Sequence, residues 1–224
     1  MGRALELIDE IRSELAPVTE KLQSHRYLSD LESGHLPKHK LGLFAAEQHA
    51  IISSDLRSVA LLVHRFGANP SRDFFLNALE GERSALAALG LFARGLGMDG
   101  DELSCREPLP GCHAYAAYMA WLASQASDAE VAAAYLVNFQ AWGQNCGRMS
   151  SALRRHYSLE ASQVAFFDQF ALAPGSSFEA AALAVVEEGL DRGVDPRLIR
   201  RSARLLQAYE LLYWDSLAEA RTDS

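Results

Sequence analysis

The stretch HRYLSDLESGHLPKHKLGLFAAEQHAII, residues 25–52, carries the start and stop signals of two successive helical segments. Ser24, just before it, is placed to cap the first segment, and Gly34 is placed to end it. Pro37 suits the first turn of the next helix, whose apolar pattern continues to about residue 66. These signals predict a short helix, a tight turn and then a long helix.

Helical periodicity continues outward from this stretch in both directions. Predicted helices cover residues 3–23, 37–66, 73–97, 112–126, 128–157, 160–170, 177–190 and 196–219. The sequences FGANPSRD, APGSS and DRGVDP are predicted turns, and residues 97–111 form the one long loop. The pattern predicts an all-α bundle of seven or eight helices. We expect the chain to form a single domain over residues 1–224, with a disordered tail from about residue 220.

Composition and charge exclude several classes of partner. The 224 residues are 49% hydrophobic and 22% charged, as in an ordinary globular protein. The formal net charge is -8 and Lys and Arg form no dense block, so nucleic acid is not an expected partner. No apolar run reaches the roughly 18 residues of a membrane helix, and no secretory signal is apparent, which predicts a cytoplasmic protein without membrane contact.

The cysteines do not form a recognisable framework. Cys105, Cys112 and Cys146 are odd in number and lack a C-x-x-C pair. Neither a set of disulfides nor a zinc knuckle is therefore predicted. We expect three reduced thiols.

An unusual number of side-chain amides lies in VNFQAWGQNC, residues 137–146, inside a segment that otherwise predicts a buried helix. They are Asn138, Gln140, Gln144 and Asn145. A buried amide without a hydrogen-bond partner costs a few kcal/mol. Each of these amides is therefore expected to meet a protein partner, a water molecule or a ligand.

Three segments resemble the TenA (thiaminase II) family. Residues 25–52 resemble its opening, in which a His, an aromatic residue, a Leu-x-x-Gly turn and a Leu precede the first long core helix. HAYAAYMAWLA, residues 113–123, is similar to its Tyr-bearing helix. AYELLYWDSLAEA, residues 208–220, is similar to its final helix, with a Glu three residues before an aromatic-Trp-acid triplet. The resemblance implies a heme-oxygenase-like helical bundle, and a homodimer or homotetramer.

The resemblance also implies a chemistry. Members of the family hydrolyse aminopyrimidines or thiamin with a Cys nucleophile assisted by a Glu, while an Asp and several Tyr hold the pyrimidine. The family's Glu falls on Glu210 and one pocket Tyr falls on Tyr115. Both residue types are retained in this chain.

Four other positions depart from the family pattern. The Cys falls on Gln140, two residues before Trp142, and the Asp falls on Gln48. One Tyr becomes Ile51 and another becomes Phe170. A carboxamide cannot act as a covalent nucleophile, so we do not expect thiaminase II activity.

The expected site is a central cavity that binds a small heterocyclic or aromatic molecule. Glu210 is the candidate acid or base, because its apolar neighbours should raise its pKa. The expected ligand contacts are Gln48, Ile51, Tyr115, Tyr118, Gln140, Trp142, Gln144 and Phe170. Each has a structural alternative: the glutamines as a helix–helix amide clasp, the aromatic residues as core, and Glu210 as a satisfied buried carboxylate.

No metal or cofactor is expected. Two-iron oxidases of the same fold need about six converging ligands, but residues 178–190 contain no His and Glu82 has no His partner nearby. Glu47 and His49 lie about 200° apart on a helix and cannot both face inward. Heme ligation by His25 is disfavoured. The TenA-like opening also has a His before an aromatic residue, and in that family this His does not bind heme.

Two classes of function remain open. One is a binding protein without catalysis. The other is an enzyme, either a hydrolase or a cofactor-independent oxidase similar to the pyrroloquinoline-quinone synthases of this fold, with Glu210 in the central role. The synthases rely on a pocket rich in His and Arg, which this sequence does not offer.

Overall fold

A computed structural model describes residues 2–171 and 176–220. The described residues form α-helices joined by turns and contain no β-strand, which confirms the all-α prediction. In order, the helices are α1 (Arg3–Gln23), α2 (Arg26–Glu32), α3 (Lys38–Arg65), α4 (Arg72–Gly95), α5 (Gly100–Ser104), α6 (Pro110–Gln125), α7 (Asp128–Tyr157), α8 (Ala165–Ala171), α9 (Ser176–Asp191) and α10 (Pro196–Glu219).

The turn signals of the opening stretch act largely as expected. Gly34 has a φ of +75°, a conformation that glycine adopts without strain, and follows the end of α2. Pro37 directly precedes α3. The cap of α2, however, is His25, whose side chain accepts the N–H of Tyr27 at 3.2 Å. Ser24 instead ends α1, so its prediction as the cap was wrong.

Two predicted segments differ in detail. The loop at residues 97–111 contains the short helix α5, held by a capping box in which Asp99 and Glu102 each bind the other's backbone N–H. The helix predicted at 160–170 begins only at Ala165. The turn APGSS falls mostly on residues 173–175, and the predicted tail on 221–224, all outside the described residues.

Helix α7 occupies the centre of the bundle. It packs against α1, α2, α8, α9 and α10, and every residue from Asp128 to Asn138 is buried. A capping box between Ser127 and Glu130 fixes its start. Any polar side chain on its first half must therefore find a partner inside the protein.

Two apolar clusters form the core. One surrounds Phe44 and Trp214, and the other surrounds Ile8 and Phe75. Tyr115 packs against both clusters. A cavity lies beside this residue, where the two clusters meet.

Within residues 2–171 and 176–220, none of the helices combines the length and apolar character required to span a bilayer.

Candidate functional site

Side chains from α3, α4, α6, α7, α8 and α10 converge on one interior space, called here the inner cavity. Its volume, as the space open to a water-sized molecule, is about 50 Å³. It is lined by Gln48, Ile51, Ile52, Asp55, Glu82, Tyr115, Asn138, Phe139, Trp142, Phe170, Glu210 and Tyr213. An apolar wall with a few convergent polar groups is typical of a ligand-binding site.

Two side-chain hydrogen bonds hold Glu210 at the wall of the inner cavity. Trp214 donates its indole N–H to Glu210 Oε1 at 3.2 Å, and Asn138 donates to Glu210 Oε2. Asn138 also donates to Gln207 Oε1 at 2.8 Å and accepts the hydroxyl of Tyr115 at 3.3 Å. Each carboxyl oxygen therefore has one donor fixed by packing.

The environment of Glu210 makes its protonation state adjustable near neutrality. Burial raises the pKa of Glu210 to about 7, against the opposing effect of the hydrogen bonds from Trp214 and Asn138. An acid or base works best with a pKa near the operating pH. The geometry therefore gives Glu210 the properties expected of a general acid or base.

Two further carboxyl groups, Asp55 and Glu82, line the inner cavity. Burial raises the pKa of Glu82 to about 7. The pKa of Asp55 lies well above its ordinary value, first because of burial and then because of the charge of Glu82. Asp55 Oδ1 is buried and has no hydrogen-bond partner among the described residues.

Gln48 and Tyr213 form a polar pair at another part of the wall. The amide of Gln48 donates to Tyr213 Oη at 2.8 Å. The phenolic hydrogen of Tyr213 remains available to a neighbouring acceptor. Burial raises the pKa of Tyr213, so this group stays neutral and acts only through hydrogen bonds.

A second space, called here the outer compartment, adjoins the inner cavity and is about 370 Å³. Both spaces are lined by Glu82, Phe139 and Phe170. The remaining lining residues of the outer compartment are Phe74, Asn77, Ala78, Gly81, Tyr135, Gln169, Ser177, Phe178 and Ala181.

Aromatic rings dominate the wall of the outer compartment. Phe139 stacks on Phe178 with centroids 5.5 Å apart, and on Tyr135 at 5.2 Å. Phe74 meets the other side of Phe178 at 5.4 Å. Phe170 meets Phe139 edge-on at 6.3 Å at the boundary with the inner cavity. Such a wall offers ring faces and edges to a flat ligand.

The structure brings most of the residues predicted from the sequence together in one place. Those that line the inner cavity are Gln48, Ile51, Tyr115, Trp142, Phe170 and Glu210. They come from five helices whose sequence positions span more than two thirds of the chain. Their contact with a ligand remains a prediction.

Gln140 does not lie in the cavity, and its placement on the cavity floor was wrong. Its side chain is exposed and lines a surface groove between α7 and α1. The cavity face of α7 is set by Asn138 and Trp142, one turn apart. Gln140 lies midway between them in sequence, about 200° around the helix from each, and so points away.

Gln144, like Gln140, lies outside the inner cavity and not in the wall where it was expected. It lies one turn later on the same face, is exposed, and accepts a hydrogen bond from Gln23 of α1. Asn145 donates to the backbone oxygen of Leu22 at 3.3 Å. These two amides therefore join α7 to the end of α1, which was the structural alternative for the glutamines.

Tyr118 belongs to the core rather than to the cavity wall. Its ring stacks on Trp121 at 5.8 Å, and its hydroxyl donates to the backbone oxygen of Ser202 at 3.4 Å. It does not line the inner cavity. The structure therefore does not place Tyr118 at the expected site, and its contacts agree with the packing alternative.

Sequence reasoning missed Asp55, Asn138 and Glu82 as cavity residues. Asp55 lies seven residues after Gln48, roughly 700° around α3 and so nearly on the same face. Counting helix turns from Gln48 would therefore have predicted that Asp55 also faces the cavity. An aspartate therefore does line the cavity, although the family's Asp position holds Gln48.

The cysteines lie outside the cavity wall. No cysteine is among the described residues that line the inner cavity. Cys112 and Cys146 are buried, and burial raises the pKa of each thiol, which disfavours the nucleophilic thiolate. Cys105 is exposed.

The side chains present do not suit a metal ion. Across the described ranges, no group of three or more His, Cys, Asp or Glu side chains is arranged to hold one. Divalent cations in proteins require several converging ligands of these types.

The bundle has a heme-oxygenase-like helical fold and contains a carboxyl-lined cavity. A model of the TENA/THI-4/PQQC family matches residues 12–220. The chain therefore belongs to this family.

Solved structures share the same fold at low sequence identity. A TenA homologue from P. horikoshii OT3 is 15% identical with a TM-score of 0.77, over 94% of this chain and 97% of that chain. A domain of unknown function with a heme oxygenase-like fold from Shewanella denitrificans OS217 is 12% identical with a TM-score of 0.80, over 94% and 91%. A TenA-like protein from Sulfolobus solfataricus P2, proposed to be a thiaminase, is 13% identical with a TM-score of 0.68, over 97% and 96%. No curated protein matches the chain.

Proposed function

We propose that this protein binds a small heterocyclic or aromatic molecule in the space formed by the inner cavity and the outer compartment. The observation that carries the proposal is the convergence of three carboxyl groups, from Asp55, Glu82 and Glu210, on a hollow with aromatic walls. Buried carboxyl groups are costly unless a partner satisfies them. A ligand with hydrogen-bond donors provides that partner.

The dimensions of the two spaces suggest how such a ligand sits. A cavity of about 150 Å³ is known to hold benzene, so the inner cavity of about 50 Å³ has room for a polar substituent but not for a ring. The outer compartment, about 370 Å³, has room for the ring. We therefore place the ring among Phe74, Phe139 and Phe178, with its polar edge toward the three carboxyl groups.

Binding can be tested with a cavity-filling variant. In Gly81→Phe the new side chain starts from a position with no neighbour within 4 Å and projects from the wall of the outer compartment. We expect saturation-transfer NMR to show binding of monocyclic nitrogen heterocycles to the unmodified protein and its loss in Gly81→Phe.

The matched control is Gly90→Phe. Gly90 is on the same helix but lines neither space, and a Cβ added there meets only the Arg94 side chain at 3.6 Å. This variant should bind like the unmodified protein. Absence of binding by every heterocycle, or equal binding by Gly81→Phe, argues against the proposed site.

Catalysis through Glu210 is the second candidate function, and its pKa of about 7 favours it. A carboxyl group with that pKa can take or give a proton at neutral pH, which suits a metal-free hydrolysis by activated water. Thiol-dependent hydrolysis is not proposed, since the described cavity wall has no cysteine.

A Glu210→Gln variant separates binding from catalysis. The amide keeps the shape of the side chain but cannot exchange a proton. An enzyme that uses Glu210 should lose turnover of an aminopyrimidine or thiamin substrate by 10²-fold or more while still binding it, consistent with the size of general acid–base effects. Turnover at an unchanged rate would exclude this role.

The assembly and the location of the protein are also proposals. Membership of the TENA/THI-4/PQQC family supports a homodimer or homotetramer, and the cytoplasmic location stays an expectation from the sequence. Light scattering coupled to size-exclusion chromatography tests the assembly, and a monomer at micromolar concentration would contradict it.

A further inference from the structure

The interior carboxyl groups have no positive partner. None of Asp55, Glu82 and Glu210 takes part in an ion pair within the described residues. No Lys, Arg or His is among the described residues that line either space. Buried carboxylates are normally paired with a cation or held by several donors. The compensating charge is therefore absent from the side chains around the site.

The lack of a positive partner matters most for Asp55 and Glu82. Both side chains line the inner cavity, and burial followed by the charge of Glu82 raises the pKa of Asp55. Tyr135 lines the outer compartment together with Glu82, and burial followed by the charges of Asp55 and Glu82 raises its pKa. Glu82 lines both spaces, so this side chain stands at the boundary between them.

Two polar atoms, one on a side chain of each space, have no partner among the described residues. They are Asp55 Oδ1 and Tyr135 Oη. The Asp55 side chain belongs to a residue that is 6% exposed, and Tyr135 is 3% exposed. Native proteins rarely leave such groups unsatisfied, so the two atoms mark a place where a ligand donates hydrogen bonds.

We infer that the ligand carries a cationic nitrogen group, an amidinium or an ammonium, which sits between Asp55 and Glu82 while its ring packs in the outer compartment. This inference rests on the proposed binding function and specifies its ligand chemistry. A planar amidinium offers several N–H donors to two carboxylates at once.

The test uses a pair of probes with the same shape. Benzamidinium is cationic, while benzamide is its neutral counterpart. Isothermal titration calorimetry at pH 8, where Glu82 is ionised in the larger part of the molecules, should show benzamidinium binding at least ten-fold tighter than benzamide. Asp55→Asn and Glu82→Gln should each reduce that preference to less than three-fold.

Glu80→Gln provides the control on the same helix, because Glu80 is exposed and pairs with Arg83 at the surface. It should retain the full preference. Equal affinity for the two probes, or a preference that survives both Asp55→Asn and Glu82→Gln, would overturn the inference. If neutral heterocycles bind and benzamidinium does not, the inference fails while the proposed function stands. If nothing binds, both fail.

Discussion

At the scale of single residues, one position on α7 decides the character of the site. Asn138, not Gln140, faces the cavity, because α7 presents the same face only every three to four residues. Its amide contacts Glu210, Gln207 and Tyr115 together. It is therefore a positioning residue for Glu210.

Asn138→Ala should be strongly destabilising. The change removes the donor to Glu210 and Gln207 and leaves buried acceptors without a partner, at a cost of about 1–3 kcal/mol in the free energy of unfolding. Gln140→Ala, two residues away and exposed, should change that free energy by less than about 0.5 kcal/mol. Urea unfolding measures both, and equal losses would contradict the assigned orientation of α7.

The residues that could be predicted from the sequence are those anchored in recognisable motifs. Glu210 lies in the final-helix motif and Tyr115 in the Tyr-bearing helix, and both line the cavity as expected. The segment around Asn138 has no such anchor, since amides occur on both faces of α7. A shift of two residues in the family comparison was enough to choose the outward-facing amide.

At the scale of elements, the approach of α8 to α7 closes one side of the inner cavity. Gly143 of α7 lies against the backbone oxygen of Phe170, and a Cβ at this position would be 2.7 Å from that oxygen. Phe170 also meets Trp142 edge-on at 5.9 Å. The missing side chain at Gly143 therefore lets α8 place Phe170 in the wall.

Gly143→Ala should destabilise the fold by about 1–3 kcal/mol, because the new methyl group forces α8 outward. Gly147→Ala, one turn later, places its Cβ at an ordinary 3.5 Å from the Cβ of Ala171. That control should be neutral or stabilising by up to about 1 kcal/mol, since alanine favours a helix more than glycine does. Thermal unfolding of the two variants distinguishes them, and similar midpoints would argue against the close contact.

The long helices could be predicted because their apolar periodicity and caps act locally. The short helices could not be predicted in this way. Helix α5 depends on the capping box of Asp99 and Glu102 within a segment rich in turn residues. Helix α8 has only seven residues and packs against α7 and α4. Periodicity over so few residues carries little information.

At the scale of the whole molecule, the buried carboxyl groups should make stability depend on pH. Glu82 and Glu210 have pKa values of about 7 in the folded protein, against an ordinary value of 4.5. The folded state therefore holds protons that the unfolded state releases. The contribution of these two groups to the free energy of unfolding is fully present below about pH 4.5. It is lost as the pH rises through about 7.

The predicted fall is up to about 1.4 kcal/mol per pH unit for each group between these limits. The titratable groups facing Glu82 are Asp55, Tyr115 and Tyr135, and those near Glu210 are Tyr115 and Cys146. The tyrosine and cysteine pKa values are raised, so these side chains stay neutral in this range. Asp55 adds to the same trend.

A double variant, Glu82→Gln with Glu210→Gln, should flatten the dependence. Amides do not titrate, so the free energy of unfolding from urea titrations at pH 5 to 8 should change less than in the unmodified protein. Glu80→Gln should leave the slope unchanged, because this exposed group is ionised throughout the range. An identical slope in the double variant would contradict the assignment.

The site as a whole lies beyond what periodicity reveals. Its two spaces depend on how seven helices, distant in sequence, leave room between two apolar clusters. A sequence pattern shows which side chains face inward but not where inward-facing side chains fail to fill the interior. The carboxyl groups at that point are what distinguish the hollow from a packing gap.

Native mass spectrometry of the freshly purified protein tests the central claim, that the interior holds a small molecule, most directly. We predict a non-covalent adduct of small-molecule mass on the unmodified protein and on Gly90→Phe, and its absence from Gly81→Phe. An adduct retained equally by Gly81→Phe, or a bare chain mass for the unmodified protein even after incubation with nitrogen heterocycles, would contradict the account.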